Sequence, residues 1–385
     1  MYHNRVSFMI PLLIFIIFFG ITLRSLYFQS LSLAPFPIVS ILSSLILLLI
    51  GYDTKDRISK NVVLFISMIL LFLSLSLFVT VFDMDRNVNI NSIIGINLNI
   101  ILFLTIYLKR DFYISNIKII NIVLFIHLLF FLIQLVGFHF FGEKLDFLEP
   151  ITGESQRING FSSIESSNFS MFRPAGLFNE PGNYSIHILT LMWILKINDR
   201  ISPFFEKILI FSIILSFSLS GIAAAIAYVV ITFDYSKLST RNLFLSSLLI
   251  FFVMFNFYDL ISLYLTERLG NIGSDNSANV RLSAFDAVFD FSQFHQLFGL
   301  GFANDKLDIH LPTIPYFLVT FGYIGTITIV LLFFYFLYHF NVNTKTGWFF
   351  LVLSFQFYTI MHPLFWLFFA LVIVSFESKK ENLNA

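Results

Sequence analysis

Runs of about twenty apolar residues recur along almost the whole chain, and they limit its fold more than any motif does. In hydrocarbon such a run has no water to pair with its amides and carbonyls, so it must form a helix. The clearest runs are 8–27, 35–52, 62–82, 92–108, 119–138, 183–197, 243–265 and 314–339. Only 12% of the 385 residues are charged, where soluble domains carry roughly 25%. The expected fold is therefore all-α, a polytopic bundle of membrane helices. Met1 to Arg5 with the apolar run behind it resembles a signal sequence. That run is too long for one and lacks a small-residue cleavage site, so an uncleaved first span is expected.

Charge placement orients the bundle. Short loops with Lys55, Arg57 and Lys60, with Lys109, Arg110 and Lys118, and with Arg200 and Lys207 alternate with loops holding only Arg24 and Arg86. The positive-inside rule puts the first set and the N-terminus in the cytoplasm. Two long runs decide the rest. Residues 208–233 are interrupted by Ser216-Phe-Ser218-Leu-Ser220-Gly221, and 347–376 by His362-Pro363. Read as two short or re-entrant helices each, they keep every basic short loop inside. The count is then about 12 segments with both termini cytoplasmic. On that topology 15 of the 23 Lys and Arg lie inside, and 15 of the 23 Asp and Glu lie outside.

The chain divides into N-terminal spans (1–138), a first long external loop (139–182) and central spans with a short helix pair (183–265). A second long external loop (266–313) and C-terminal spans with a cytoplasmic tail (314–385) complete it. Cysteine is absent, which excludes disulfides, thiolate catalysis and cysteine metal sites. Acids at mid-membrane are nearly absent too, which argues against ion-coupled transport and for work done at the outer face. His127, Gln134, Asn97, Asn99 and His187 lie in or near spans and are expected to bond between helices.

The first external loop ends in Arg173-Pro-Ala-Gly-Leu-Phe-Asn-Glu-Pro-Gly-Asn-Tyr184, with Pro181 placed to open a helix. The second holds Arg268 and Arg281, then Leu297-Phe-Gly299-Leu-Gly301-Phe, Asp305, Asp308 and His310. Guanidinium is permanently charged and its fork fits phosphate oxygens. Arginines from both loops, with Arg157, therefore suit a diphosphate head group at the membrane surface. Glu180 and His310 are candidates for taking a hydroxyl proton. Asp305, Asp308 and His310 make no oxygen cage, and no metal is expected.

These motifs resemble those of the O-antigen polymerase and ligase superfamily of bacterial membrane glycosyltransferases. The likeness rests on Arg173, Pro174, Gly176, Glu180 and Pro181. It continues through Arg281, then Gly299 and Gly301, His310, and Phe321-Gly-Tyr-Ile-Gly325, and covers roughly 160–385. Two departures stand out: Ser218-Leu-Ser220-Gly221 has no arginine where the family often has a Ser-Arg pair, and His310 is followed by Leu311. The Glu-Pro dipeptide leans toward polymerases.

The resemblance implies a GT-C-like fold and glycosyl transfer at the outer face of the bacterial cytoplasmic membrane. An undecaprenyl-diphosphate-linked oligosaccharide would be the donor, and a second lipid-linked repeat unit the acceptor. It further implies Arg173 and Arg281 on the diphosphate, Arg157 and Arg268 in support, and Glu180 before His310 as base. No cofactor or nucleic acid is implied, and a chain-length regulator in the membrane is a further partner it allows. The oily groove for the polyprenyl chain is expected between 183–197 and 314–339. Two rival readings are an O-antigen ligase passing polymer to lipid A-core and a flippase for lipid-linked glycans. A third is a structural membrane subunit.

Overall fold

The computed structural model describes residues 2–23, 35–50, 58–82, 87–158, 172–234, 288–305, 311, 313–355 and 360–384. The expected span 243–265 lies outside them. The described residues form fourteen helices and no strand; one isolated bridge joins Val88 to Asn304. In chain order the helices begin with α1 (Tyr2–Thr22), α2 (Pro35–Ile50), α3 (Lys60–Phe82), α4 (Ile90–Leu108), α5 (Arg110–Ser115), α6 (Ile119–Phe141) and α7 (Glu149–Thr152). There follow α8 (Pro181–Ile197), α9 (Pro203–Leu215), α10 (Leu219–Thr232), α11 (Gln293–Phe298), α12 (Thr313–His339), α13 (Thr344–Ser354) and α14 (Pro363–Asn384).

Four of these, α3, α4, α6 and α12, are long and apolar enough to cross a membrane. They leave large apolar side chains on the outside, among them Leu71, Phe78, Phe125 and Leu331. In water such a surface would be a liability; against lipid tails it is the expected boundary. The chain is thus an all-α membrane protein.

One end of the bundle is basic. Asn121 Nδ2 donates to Arg200 O (3.0 Å), Asn198 Nδ2 donates to Ser375 Oγ (2.8 Å), and Arg110 pairs with Glu377 at 3.4 Å. Lys379 reaches Asp199 at 3.2 Å. These contacts bring the start of α6, the loop after α8 and the later part of α14 together at one level.

From this end α8 rises through the centre, with 14 of its 17 residues buried. Trp193 stacks on Phe349 (4.2 Å between ring centroids), and its indole N–H donates to Thr346 Oγ1 (3.2 Å). Burying the flat face while pairing the polar edge is what a buried indole requires.

Both ambiguous apolar runs are divided. The first becomes α9 and α10, separated by Ser216–Ser218 with Phe217 at φ 49°. The two helices form a hairpin. At its base Tyr228 on α10 donates to Glu206 Oε1 on α9 (2.7 Å), and Glu206 Oε2 receives Lys196 of α8 (2.8 Å). At thirteen and fourteen residues each arm is about 20 Å long, well short of a roughly 30 Å core. The second run becomes α13 and α14. His362 sits just before the second of these, and Pro363 opens it at a position where a missing amide hydrogen costs nothing.

Helix α8 also starts low. It runs antiparallel to α6: Asn121 meets Arg200 at the basic end, and at the other end Phe131 stacks on Tyr184 at 4.8 Å. From Phe131 to the end of α6 at Phe141 is ten residues, a rise of about 15 Å. Tyr184 is three residues into α8 from Pro181, about 4.5 Å, so the N-terminus of α8 lies about 10 Å below the end of its neighbour. The hairpin tip sits at the same level, since Tyr184 OH meets Ser212 Oγ (2.7 Å) and Ser185 Oγ lies 3.5 Å from Ser216 Oγ.

Candidate functional site

The first external loop lies against one face of the upper part of α6, where Gln134 and Gly137 are buried, and two buried glutamines attach it to the helix. Gln134 Oε1 accepts from the amides of Ala175 (2.9 Å) and Gly176 (2.7 Å). Its Nε2 donates to Leu145 O (2.9 Å) and Gln156 Oε1 (2.8 Å). Gln156 Nε2 in turn donates to Gly176 O (2.8 Å) and Phe178 O (2.6 Å), while its Oε1 also accepts from Phe147 N–H (2.9 Å). Both amides are saturated, so non-helical backbone can lie beside a membrane helix without orphaned groups.

Gly176 shows why the loop can descend so far. Its φ is +59°, and a methyl group there would lie 3.2 Å from His127 O and 3.3 Å from Phe131 N. Below it the Phe178 ring fills the space between His127 and His187, 4.8 Å from each. His187 in turn meets His362 at 5.2 Å.

The loop then delivers three of the expected site residues. Arg157 N–H donates to Asn179 O (2.7 Å), and Arg173 N–H donates to Ile158 O (3.1 Å), so the two arginine-bearing stretches of loop lie side by side. Glu180 is the N-cap of α8, and Pro181 fills the first helical position, where no amide partner is lost. The Glu180 carboxylate makes no capping bond; it faces Arg157 at 3.6 Å. Its side chain is 32% exposed and that of Arg157 80%, so this ion pair stabilises little and is open to a ligand. Pro174 is buried beside this turn.

The hairpin tip completes the recess. A methyl group on Gly182 would lie 3.7 Å from Ser218 Oγ, 3.8 Å from Glu180 Oε1 and 3.9 Å from Ser220 Oγ. Ser218 caps α10 by accepting from Gly221 N–H (3.3 Å), and Gly221 has no room for a side chain because Ser185 is packed against it. The interruption at Ser216–Gly221 is visible in the sequence. Its meeting with Glu180 is not, because nothing local encodes which loop a hairpin tip will reach.

No protein family matches this chain, and no curated protein does. The site therefore stands on its geometry and on the motif resemblance.

Arg268, Arg281, Asp308 and His310 lie outside the described residues. Gly299 and Gly301 do not, and they bind two helices together. Leu300 and Gly301 donate to Val319 O and Thr320 O (both 2.9 Å) where α12 breaks at Gly322 (φ 62°). Phe302 N–H donates to Ser76 Oγ (2.9 Å), and Thr80 Oγ1 donates to Phe302 O (2.7 Å), both on α3. A methyl group on Gly299 would overlap Thr320, and one on Gly301 would overlap Thr80.

One expectation needs correction. The five polar span residues do not all bond between helices. His127 reaches Thr22 on α1 (2.7 Å), but Asn99 donates to Met361 O just before α14 (3.2 Å), Asn97 and His187 pair with Ile93 O and Asn183 O of their own helices, and Gln134 holds loop backbone. Helix α8, expected to border an apolar groove, has 14 of its 17 residues buried. An aromatic cavity lies against α12, lined by Phe65, Phe72, Phe333, Phe336, Phe350 and Phe369 of α3, α12, α13 and α14.

Proposed function

We propose that this protein is a surface-polysaccharide polymerase of the O-antigen type. It would join undecaprenyl-diphosphate-linked repeat units at the outer face of the bacterial cytoplasmic membrane. The observation that carries this reading is the recess at the head of α8. There a carboxylate freed from capping, an exposed arginine and two serine hydroxyls meet about 10 Å below the end of α6.

In this reaction an acceptor hydroxyl oxygen attacks the anomeric carbon of the donor sugar. The bond from that carbon to the diphosphate breaks, and its electron pair leaves with the diphosphate. The hydroxyl proton passes to Glu180. Charge grows on the leaving group, so guanidinium groups already in place stabilise the transition state without reorganisation. Arg173 and Arg281 are assigned that role, with Arg157 and Arg268 in support; His310 is the second choice as base. The arrangement calls for no metal, and the polyprenyl chain would run among the apolar helices.

A deletion strain complemented with wild type, Arg173→Ala or Glu180→Gln tests the reading. The expected result is a polysaccharide ladder from wild type and only single repeat units from each variant, at equal amounts of protein in the membrane. An unchanged ladder in the deletion strain would exclude a polymerase, and complete loss of attached glycan there would indicate a ligase.

A further inference from the structure

The transferase reading gives Glu180 a proton to accept but does not say what holds the hydroxyl that carries it. We infer that Gly182, Ser218 and Ser220, together with Glu180, form the subsite for the acceptor sugar; the inference rests on that reading.

The first reason is a glycine without a structural need. Gly182 lies in the first turn of α8 with an ordinary helical backbone, where alanine would stabilise the helix. Most other helical glycines have a neighbour that excludes a side chain: Ser40 at Gly20, Ser185 at Gly221, Phe321 at Gly325. Gly182 has none, since the nearest atoms to an added methyl are at ordinary contact distance. Gly95 also has room, but only the methyl carbon of Met361 lies within 4 Å of it. At Gly182 the three nearest atoms are all oxygens, at ordinary contact distance from an added methyl group. Glycine in such a place lets a ligand approach the backbone closely.

The second reason is the kind of oxygen. A carboxylate only accepts, whereas each serine can donate and accept. Ser218 Oγ accepts from Gly221 N–H and pairs with Ser220 Oγ at 3.3 Å, and a sugar hydroxyl can exchange places in that serine pair as donor or acceptor. A phosphate would bring like charge to Glu180. A sugar instead offers adjacent hydroxyls to the three oxygens and a C–H face to the bare Cα of Gly182. The floor is closed, because Ser218 is 3% exposed, while Glu180 and Gly182 are partly open above it.

Gly182→Ala and Ser220→Ala, expressed in the deletion strain, test this through three measurements: polymer amount, protein in the membrane and thermal unfolding in detergent. Gly182→Ala should unfold at the wild-type temperature or above, yet make at least about tenfold less polymer. Ser220→Ala, which loses one hydrogen bond to the sugar, should make about fivefold less. Wild-type polymer from Gly182→Ala at wild-type protein level overturns the subsite. If polymer is still lost in Arg173→Ala, the transferase reading survives that result. Should Gly182→Ala lower the protein level, Ser220→Ala decides, and normal polymer from it overturns the subsite equally.

Discussion

The glycine loop at Leu297–Phe302 and the polar turn at Pro174–Gly182 both bring irregular backbone against membrane helices, with glycines at positive φ. They differ in what is left over. In the glycine loop the amides of Leu300, Gly301 and Phe302 are all paired, and a methyl group at either loop glycine would overlap a helix. In the polar turn the same closure holds at Gly176 and stops four residues later. Beyond it come an acid that does not cap, an exposed arginine and a glycine where a methyl group would meet no overlap. Fully used backbone marks a clamp; polar groups that do not close the turn mark the place proposed for a ligand.

Three substitutions probe that contrast. The largest effect is expected from Gly301→Ala, where left-handed backbone strain adds to overlap with Thr80 on α3. A loss of more than about 4 kcal/mol should keep the protein from accumulating in the membrane. Normal accumulation would mean that the clamp yields and the comparison fails.

Gln134→Leu strips the amides of Ala175 and Gly176 of their partner inside the bundle. A loss of about 3 kcal/mol is expected, read as a lower unfolding temperature and faster proteolysis within 142–180. Gly153→Ala is the smallest. Its φ is +78° but nothing lies within 4 Å of the new methyl, so strain alone should remain, about 1 kcal/mol. A larger loss would show that space is not the variable separating these glycines.

Much of the helical plan is legible in the sequence, because chain segments in hydrocarbon have one solution for their hydrogen bonds. The serine run at Ser216–Ser220 and His362-Pro363 both mark real breaks. The loops of Lys118, Arg200 and Lys379, grouped by charge alone, meet at one end. What stays hidden is depth. Residues 183–197 read as one more span, and nothing in their composition says that the helix starts halfway along α6. Gln134 misled for a related reason: a lone amide in an apolar run announces a partner, but its partners are backbone groups, which every sequence has alike. The break at Gly322 is equally silent, since Phe321-Gly-Tyr reads as uninterrupted helix.

The low start of α8 would have a consequence for the glycan. If the proposed transfer takes place there, some 10 Å below the end of α6, the tip of a chain can reach the recess while its interior residues stay above. Depth alone would then choose which hydroxyl is extended, so growth would proceed without branches.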